Sequence, residues 1–443
     1  MNEAPSFPAN LSRREVATYA ALAAAMGAVL PFSAIAQDAS PASRWPGVAA
    51  LMNSYVGDGR VANMVTAMGL GMAEPDVMAL GNTSFTSGVA ADVDTLYRIY
   101  SMTKPITGMA AMLCIEEGWL ELDQPIADIL PLFANMQVQK TYDGPITADN
   151  LEPAIRPITV RQCLTHTAGL GYGIIQQGPI ATAFRERGLI PGLVSSLQNL
   201  PGYRGIPVRG LRAFADGMAE MPLVLQPGTK WNYSTGLDLM GRVIEVVSGQ
   251  PFDRFLKERF FDPLGMSSTF FQVPQSQVHR FTTSYFRMGE VLLPIDLPES
   301  SVYLAEPPYP FGGSGLVSSA RDYDRFLMMI AGHGTLDGVT VLDADSIALA
   351  TSDLTPATVT PENRYQNSGR TFGFGAGGLV GNGDAEGLFG WFGAASTCGL
   401  VNLQRGLRHS LMTQYMPSTA NPLQNDFPVV VAQDFAARFG RNG

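Results

Sequence analysis

The sequence has 443 residues, of which 46% are hydrophobic and 15% charged, and its formal net charge is −10 at pH 7. This profile is typical of a folded protein large enough for two lobes with sizeable cores. The acidic balance, with no block of Lys and Arg, argues against nucleic acid or an anionic membrane surface as a partner and leaves small neutral or cationic molecules open.

The first 36 residues follow the order of an export signal. An arginine pair, Arg13-Arg14, precedes an apolar run over 17–32, and Ala34-Ile35-Ala36 offers a small-residue cleavage site. We therefore predict a twin-arginine signal in 1–36 and a periplasmic or secreted location. A cytoplasmic protein that retains the segment is the alternative. The apolar run is short and rich in Ala for a stable membrane span.

The pattern after this segment moves from strands to helices and back to strands. Early elements are a helix at 49–56 and strands at 61–70, 76–81 and 95–100. Helices follow at 160–164, 211–221, 237–247, 251–261 and 320–330, and the Gly-, Pro- and Gln-rich stretch 174–209 is predicted to be a surface excursion. Late strands are predicted at 371–381, 387–392, 396–402 and 408–415.

This order predicts an α/β (α+β) fold in which an antiparallel sheet is flanked by helices and interrupted by an inserted, mainly helical domain. The predicted discontinuous α/β domain comprises 37–113 and 307–443. The predicted helical domain comprises 114–306.

Ser101 and Lys104 begin an apolar pattern with helical spacing. Pro105 is tolerated in the first turn of a helix, so the helix should begin near Ser101. Residues three apart share a helical face, which allows the Lys104 ammonium to lie beside the Ser101 hydroxyl. A serine hydroxyl becomes a good nucleophile when a neighbouring group accepts its proton. We therefore predict that Ser101 is a nucleophile assisted by Lys104.

A second segment, 226–236, is a tight turn that delivers Tyr233 just ahead of a predicted helix. If Tyr233 meets Lys104, its phenol becomes a candidate base partner for Ser101. Without that meeting, an interface tyrosine whose hydroxyl caps the helix is the better interpretation.

Other chemistries have weaker signals. No G-x-S-x-G nucleophile elbow occurs, and the G-x-G-x-x-G at 373–378 leads into no helix, so it is predicted to be a glycine-rich strand. His166, in a Thr-His-Thr-Ala-Gly setting, is predicted to be a hydrogen-bonded loop former. The four histidines are far apart, which predicts no metal site. The three cysteines, Cys114, Cys163 and Cys398, are predicted to be buried thiols.

Several pieces, taken in order, resemble the serine β-lactamase and penicillin-binding superfamily, and most of all the class C β-lactamase-related carboxylesterases called family VIII esterases. The resemblance covers roughly residue 49 to the C-terminus. It rests on the Tyr97-to-Pro105 segment, the Leu164-to-Leu170 loop, the Pro227-Gly228 turn with Tyr233-Ser234, Gly241-Arg242-Val243-Ile244-Glu245, Pro263-Leu264-Gly265-Met266 and the Gly312-to-Leu316 turn.

The resemblance implies a role for each matching residue. Ser101 would be the acylated serine, Lys104 the lysine that shares its proton and Tyr233 the general base. The backbone N–H groups of Ser101 and Ala394 would form the oxyanion hole.

The resemblance also exposes two departures at the substrate-binding positions. β-Lactamases carry Lys-Thr-Gly where this chain has Trp391-Phe392-Gly393, so the clamp for a substrate carboxylate is missing. Thr235 stands where class C enzymes have an Asn. These positions, together with Tyr172, are predicted to bind substrate, and the aromatic pair would make the cleft more apolar.

The sequence therefore predicts a serine carboxylesterase that hydrolyses short-chain acyl esters without a metal or organic cofactor. Its expected partner is a small-molecule ester, and the oligomeric state is left open. The alternatives are a β-lactamase or D-amino-acid peptidase, an acyltransferase on the same machinery, and a non-catalytic paralogue that keeps the fold.

Overall fold

A computed structural model describes residues 40–197 and 205–440, so the predicted export signal lies outside the described residues. The helices are α1 Pro41–Arg44, α2 Pro46–Gly57, α3 Thr103–Glu116, α4 Val160–Leu164, α5 Gly178–Glu186, α6 Leu211–Ala219, α7 Gly236–Ser248, α8 Phe252–Leu256, α9 Ala320–Ala331, α10 Ala344–Ala350 and α11 Leu423–Phe439. None of the helices in these two ranges is long and apolar enough to span a membrane.

The strands, also in chain order, are β1 Asn63–Leu70, β2 Asp76–Gly81, β3 Tyr97–Arg98, β4 Gln137–Gln139, β5 Leu151–Pro153, β6 Ser284–Met288, β7 Val291–Asp296, β8 Val317–Ser318, β9 Thr335–Leu336, β10 Val339–Thr340, β11 Gln366–Asn367, β12 Arg370–Thr371, β13 Gly373–Phe374, β14 Leu379–Val380, β15 Leu388–Phe392, β16 Cys398–Asn402, β17 Leu407–Met412 and β18 Tyr415–Met416.

The main sheet joins the two ends of the chain. Its seven strands run antiparallel in the order β13-β14-β15-β16-β17-β1-β2. The strands predicted early and late in the sequence therefore pair in one sheet. The domain boundaries at 113/114 and 306/307 stay a prediction.

Helices cover both faces of this sheet. On one face α2 and α11 bury Trp45 and Phe427, and on the other α3 and α9 bury Met109 and Phe326. Every residue of β16 and β17 is buried. Such strands are expected where a sheet is covered on both sides.

The prediction of a surface excursion at 174–209 is wrong in part. The stretch contains α5, and Ile180, Phe184 and Leu189 are buried in the largest core. Ile180 and Phe184 are four residues apart, so they share one helical face. The Gly-Pro pair at the start of α5 is compatible with a first helical turn and concealed this short helix.

The three cysteines are buried free thiols, as predicted: Cys114, Cys163 and Cys398. Burial raises the pKa of each thiol to about 12. The thiolate is the reactive form of cysteine, so these side chains are packing groups.

Candidate active site

Ser101 lies in a single 3₁₀ turn, Tyr100–Met102, between β3 and α3. Arg98, in the strand just before this turn, is buried and anchors the strand: its Nε donates to Asp296 Oδ2 at 2.8 Å. Tyr100 has a φ of 42°, a left-handed conformation that is costly for a tyrosine. The surrounding packing therefore fixes a strained turn that presents Ser101 at the start of the helix, as the position of Pro105 predicted.

Two side chains contact the Ser101 hydroxyl oxygen. Lys104 Nζ donates to it at 3.2 Å and Tyr233 Oη donates to it at 2.7 Å. Lys104 Nζ also donates to the Gly313 carbonyl at 2.8 Å. Lys104 is fully buried, whereas Ser101 keeps 9% of its surface exposed. The structure thus brings the three predicted residues together, and of Lys104 and Ser101 it is Ser101 that keeps some exposure.

Close backbone contacts fix the helix that carries Lys104. Gly377 lies in the turn between β13 and β14 with a φ of +75°, and a Cβ there would lie 2.4 Å from the Lys104 carbonyl oxygen. On the facing helix, a Cβ at Gly108 would lie 2.0 Å from the Ala376 carbonyl oxygen. The glycines at 373–378 therefore permit close approach of a hairpin to α3, in keeping with the predicted glycine-rich strand.

Aromatic rings surround Tyr233. Trp391 Nε1 donates to Tyr233 Oη at 3.3 Å, and the Tyr172 and Tyr233 ring centroids are 5.3 Å apart. Lys104 Nζ lies 4.5 Å from the centre of the Tyr233 ring, a distance at which an ammonium and a π face attract each other. The phenol hydroxyl is thus held by the indole N–H on one side and the serine on the other.

His166 supports the Tyr233 loop from within, as predicted for a loop former. Its Nδ1 accepts the Ser234 N–H at 3.2 Å and lies 2.9 Å from Ser234 Oγ. Burial, and then the charge of Lys104, lowers the pKa of His166 well below its usual range. A neutral His166 packs its ring 4.8 Å from that of Tyr233.

The turn after β15 lies against the segment that ends at Ser101. A Cβ at Gly393 would lie 2.5 Å from the Ile99 carbonyl oxygen, so only glycine allows this approach. Ala394 packs in a cluster with Tyr100. Within residues 40–197 and 205–440, neither the Ser101 N–H nor the Ala394 N–H donates to a protein acceptor. Both amides are therefore available as donors, and their role as an oxyanion hole stays a prediction.

The Beta-lactamase family model matches residues 34–432. The chain belongs to the beta-lactamase family. It is 35% identical to the Protein Rv1367c of Mycobacterium tuberculosis over 277 residues, which are 62% of this chain and 64% of that protein. It is 32% identical to the esterase EstB of Burkholderia gladioli over 269 residues, 57% and 61% of the two chains. The chain therefore spans less than two thirds of these relatives.

The fold agrees with this membership. The solved structure of EstCE1, a hydrolase with promiscuous acyltransferase activity, superposes on this chain with a TM-score of 0.70 at 23% sequence identity. The superposition covers 89% of this chain and 98% of the EstCE1 chain. This likeness shows the fold. The predicted α/β (α+β) architecture, a beta-lactamase-like antiparallel sheet with flanking helices, is confirmed.

The predicted substrate-binding residues have different surroundings in the structure. Trp391 packs against Tyr233. Phe392, next along β15, contacts the core of α2 and α11 and also the Trp391 ring, whose centroid is 5.9 Å from its own. The role of these two rings in binding substrate stays a prediction. Thr235 is buried, and its hydroxyl donates to the Gly171 carbonyl at 3.1 Å. Tyr172 is also buried, behind Tyr233.

Two residues of this beta-lactamase family site were not singled out from the sequence. The Gly313 carbonyl accepts a hydrogen bond from the Lys104 ammonium, and the Gly313 N–H donates to Asp238 Oδ1 at 2.9 Å. Asp238 is fully buried in the first turn of α7. The sequence signal that could have identified Asp238 is a carboxylate between Leu237 and Leu239, on a helix whose other buried side chains are apolar.

Proposed function

We propose that this chain is a serine carboxylesterase that hydrolyses uncharged, short-chain acyl esters through an acyl-enzyme at Ser101. The observation that carries the proposal is the contact of both Lys104 Nζ and Tyr233 Oη with Ser101 Oγ in an otherwise buried site. The esterase EstB among the relatives and the hydrolase EstCE1 among the solved structures support it.

In the first half-reaction, Ser101 Oγ attacks the ester carbonyl carbon while its proton passes to the Lys104–Tyr233 pair. The carbonyl oxygen takes up negative charge and receives hydrogen bonds from the Ser101 and Ala394 N–H groups. When the tetrahedral intermediate collapses, the bond to the alcohol oxygen breaks and Tyr233 protonates the leaving alcohol. Water then attacks the acyl-enzyme, with the same groups accepting and returning a proton.

The preference for uncharged esters follows from Trp391. An indole at this position supplies one neutral N–H, and that N–H is already donated to Tyr233 Oη. It offers no positive charge to a substrate carboxylate. A β-lactam, which carries such a carboxylate, would lack the ion pair that holds it.

Rates on two substrates test this proposal directly. The purified protein should hydrolyse p-nitrophenyl butyrate at least about thirtyfold faster than a chromogenic cephalosporin, because the missing ion pair to a buried carboxylate costs about 2 kcal/mol or more. Comparable or faster cephalosporin turnover would contradict the esterase proposal and favour a β-lactamase.

An acyltransferase is the second candidate, since an alcohol can replace water in the second half-reaction without any change of catalytic groups. The promiscuous acyltransferase activity named for EstCE1 supports this second candidate. Adding a competing alcohol during ester turnover distinguishes the two: transesterified product in excess of hydrolysed acid would favour the transferase.

We expect Trp391→Phe to lower kcat for p-nitrophenyl butyrate about two- to tenfold. The variant keeps an aromatic ring but removes the N–H donated to Tyr233 Oη, and a neutral hydrogen bond is worth about 0.5–1.5 kcal/mol. Trp231→Phe is the matched comparison, because the Trp231 indole N–H has no hydrogen-bond partner in the described part of the chain. Steady-state kinetics that showed the same loss in both variants would contradict a specific role for the Trp391 N–H.

We also propose that the segment 1–36 directs export of the folded protein. N-terminal sequencing of periplasmic material should then begin near Gln37. Periplasmic protein that begins at Met1 would contradict cleavage.

A further inference from the structure

Asp238 is a buried carboxylate with too few partners. Its Oδ1 accepts a hydrogen bond from the Gly313 N–H at 2.9 Å, and its Oδ2 has no partner among residues 40–197 and 205–440. A Cβ at Gly313 would lie 2.5 Å from Oδ2, so the carboxylate is pressed against the backbone. Burying an ionised carboxylate with an oxygen that has no hydrogen-bond partner costs folding free energy, so a functional role for Asp238 is a reasonable hypothesis.

Gly313 links Asp238 to the lysine of the site. The N–H of this one residue donates to Asp238, and its carbonyl accepts from Lys104 Nζ at 2.8 Å. Lys104 in turn donates to Ser101 Oγ. A continuous chain of hydrogen bonds therefore runs from the buried carboxylate to the serine, through the backbone of a glycine that no side chain could replace without displacing Asp238.

The charges around Asp238 are few. Burial raises its pKa to about 6, while the charge of Lys104 and the backbone N–H groups of Gly313 and of Asp238 itself act in the opposite direction. Tyr309 faces it from another segment, and burial together with the charge of Asp238 raises the pKa of Tyr309 well above its usual range. Tyr309 therefore stays neutral, and among the described residues Lys104 is the charged group whose field acts on Asp238.

We propose that Asp238 is a positioning residue for the esterase reaction proposed above: it holds the Gly313 carbonyl against Lys104 and supplies negative charge beside the Lys104–Tyr233 pair. When the pair accepts the proton of Ser101, its net charge rises by one whichever member binds the proton. A nearby carboxylate offsets that gain, and it does so more strongly in a site that excludes water. Asp238 thereby makes the pair a better base.

Asp238→Asn tests the proposal with little change of shape. The amide oxygen can still accept the Gly313 N–H, and the amide nitrogen takes the place of the oxygen that has no partner. We expect kcat/KM for p-nitrophenyl butyrate to fall about tenfold or more on the pH plateau, because the pair loses its countercharge. We also expect the acid limb of the profile to move to lower pH, because the wild type gains a proton on Asp238 as the pH falls through about 6.

Asp322→Asn is the matched control. Asp322 is also a buried aspartate, and burial raises its pKa, but it accepts from Ser268 and Thr269 and faces Arg280 and Asp94. Its variant should keep the wild-type acid limb. An unchanged acid limb in Asp238→Asn, or an equal displacement in Asp322→Asn, would overturn the assignment.

Unfolding provides a readout that needs no substrate. The folded-state pKa of Asp238, about 6, lies above the unfolded value of 3.8, so its contribution to stability is present below about pH 4 and is lost as the pH rises through about 6. Asp238→Asn removes this loss, and we expect its Tm at about pH 8 to exceed that of the wild type by a few degrees. A residue kept for packing alone would lower Tm when replaced, and that result would overturn the proposal.

The proposed function and this inference fail in different ways. A wild type that hydrolyses no acyl ester refutes the esterase proposal. An active wild type whose Asp238→Asn variant keeps the wild-type acid limb, or has a lower Tm than the wild type, refutes only the role of Asp238.

Discussion

Ser101→Ala is expected to lower kcat for p-nitrophenyl butyrate by at least about a thousandfold. The variant removes the atom that forms the acyl-enzyme and leaves Lys104 and Tyr233 without the oxygen that both contact. The N–H groups proposed to form the oxyanion hole remain, so a small residual rate over solvent hydrolysis is compatible with the mechanism. The effect is measured from initial rates of p-nitrophenolate release, followed by absorbance. Intact-protein mass spectrometry checks that each preparation carries the intended residue.

Ser410→Ala is the matched control for this loss. Ser410 lies in β17, is fully buried, and its hydroxyl has no hydrogen-bond partner in the described residues. The same chemical change there should leave kcat within about twofold, since no catalytic contact is removed. Ester turnover that survives Ser101→Ala would show that another nucleophile acts, and the assignment of the whole site would be wrong.

Tyr233→Phe is expected to lower kcat/KM for ester hydrolysis by about a hundred- to a thousandfold, which is the usual range for loss of a general acid or base. The ring contacts with His166 and Tyr172 persist, but the hydroxyl 2.7 Å from Ser101 Oγ is lost. The loss should depend on the leaving group. Ethyl butyrate needs a proton on its departing alcohol, whereas p-nitrophenolate leaves without one, so the ethyl ester should suffer more.

The ratio of kcat/KM values for the two esters is therefore the decisive quantity. It should rise in favour of the p-nitrophenyl ester in Tyr233→Phe and stay unchanged in Tyr365→Phe, which alters a neighbouring aromatic ring 5.3 Å from Trp391. An equal loss on both esters would show that Tyr233 does not protonate the leaving alcohol.

Some residues of the candidate site could be predicted from the sequence and others could not. Ser101 and Lys104 are local: their spacing and the position of Pro105 place both on the first turn of one helix. Tyr233 is 132 residues away from Ser101, and only the resemblance to a family connected the two. Asp238 was missed because no sequence pattern shows that the first turn of α7 faces the glycine that holds Lys104.

The fold was predictable where hydrophobic periodicity was clean. α4 was predicted with the bounds it has, and α7 within one residue at each end. α11 was not predicted, because Pro428 lies inside it and proline normally ends a helix. Buried apolar residues on both sides of Pro428, Phe427 and Val431, hold this helix against the sheet.

The acyl-enzyme is the central claim, and mass spectrometry tests it most directly. The protein is mixed with a slowly hydrolysed p-nitrophenyl ester, quenched in acid and digested. The account predicts that the mass of one acyl group appears on the peptide that contains Ser101, and that it is absent in Ser101→Ala. An acyl group on a different residue, or an enzyme that turns over the ester with no trapped intermediate under single-turnover conditions, would contradict it.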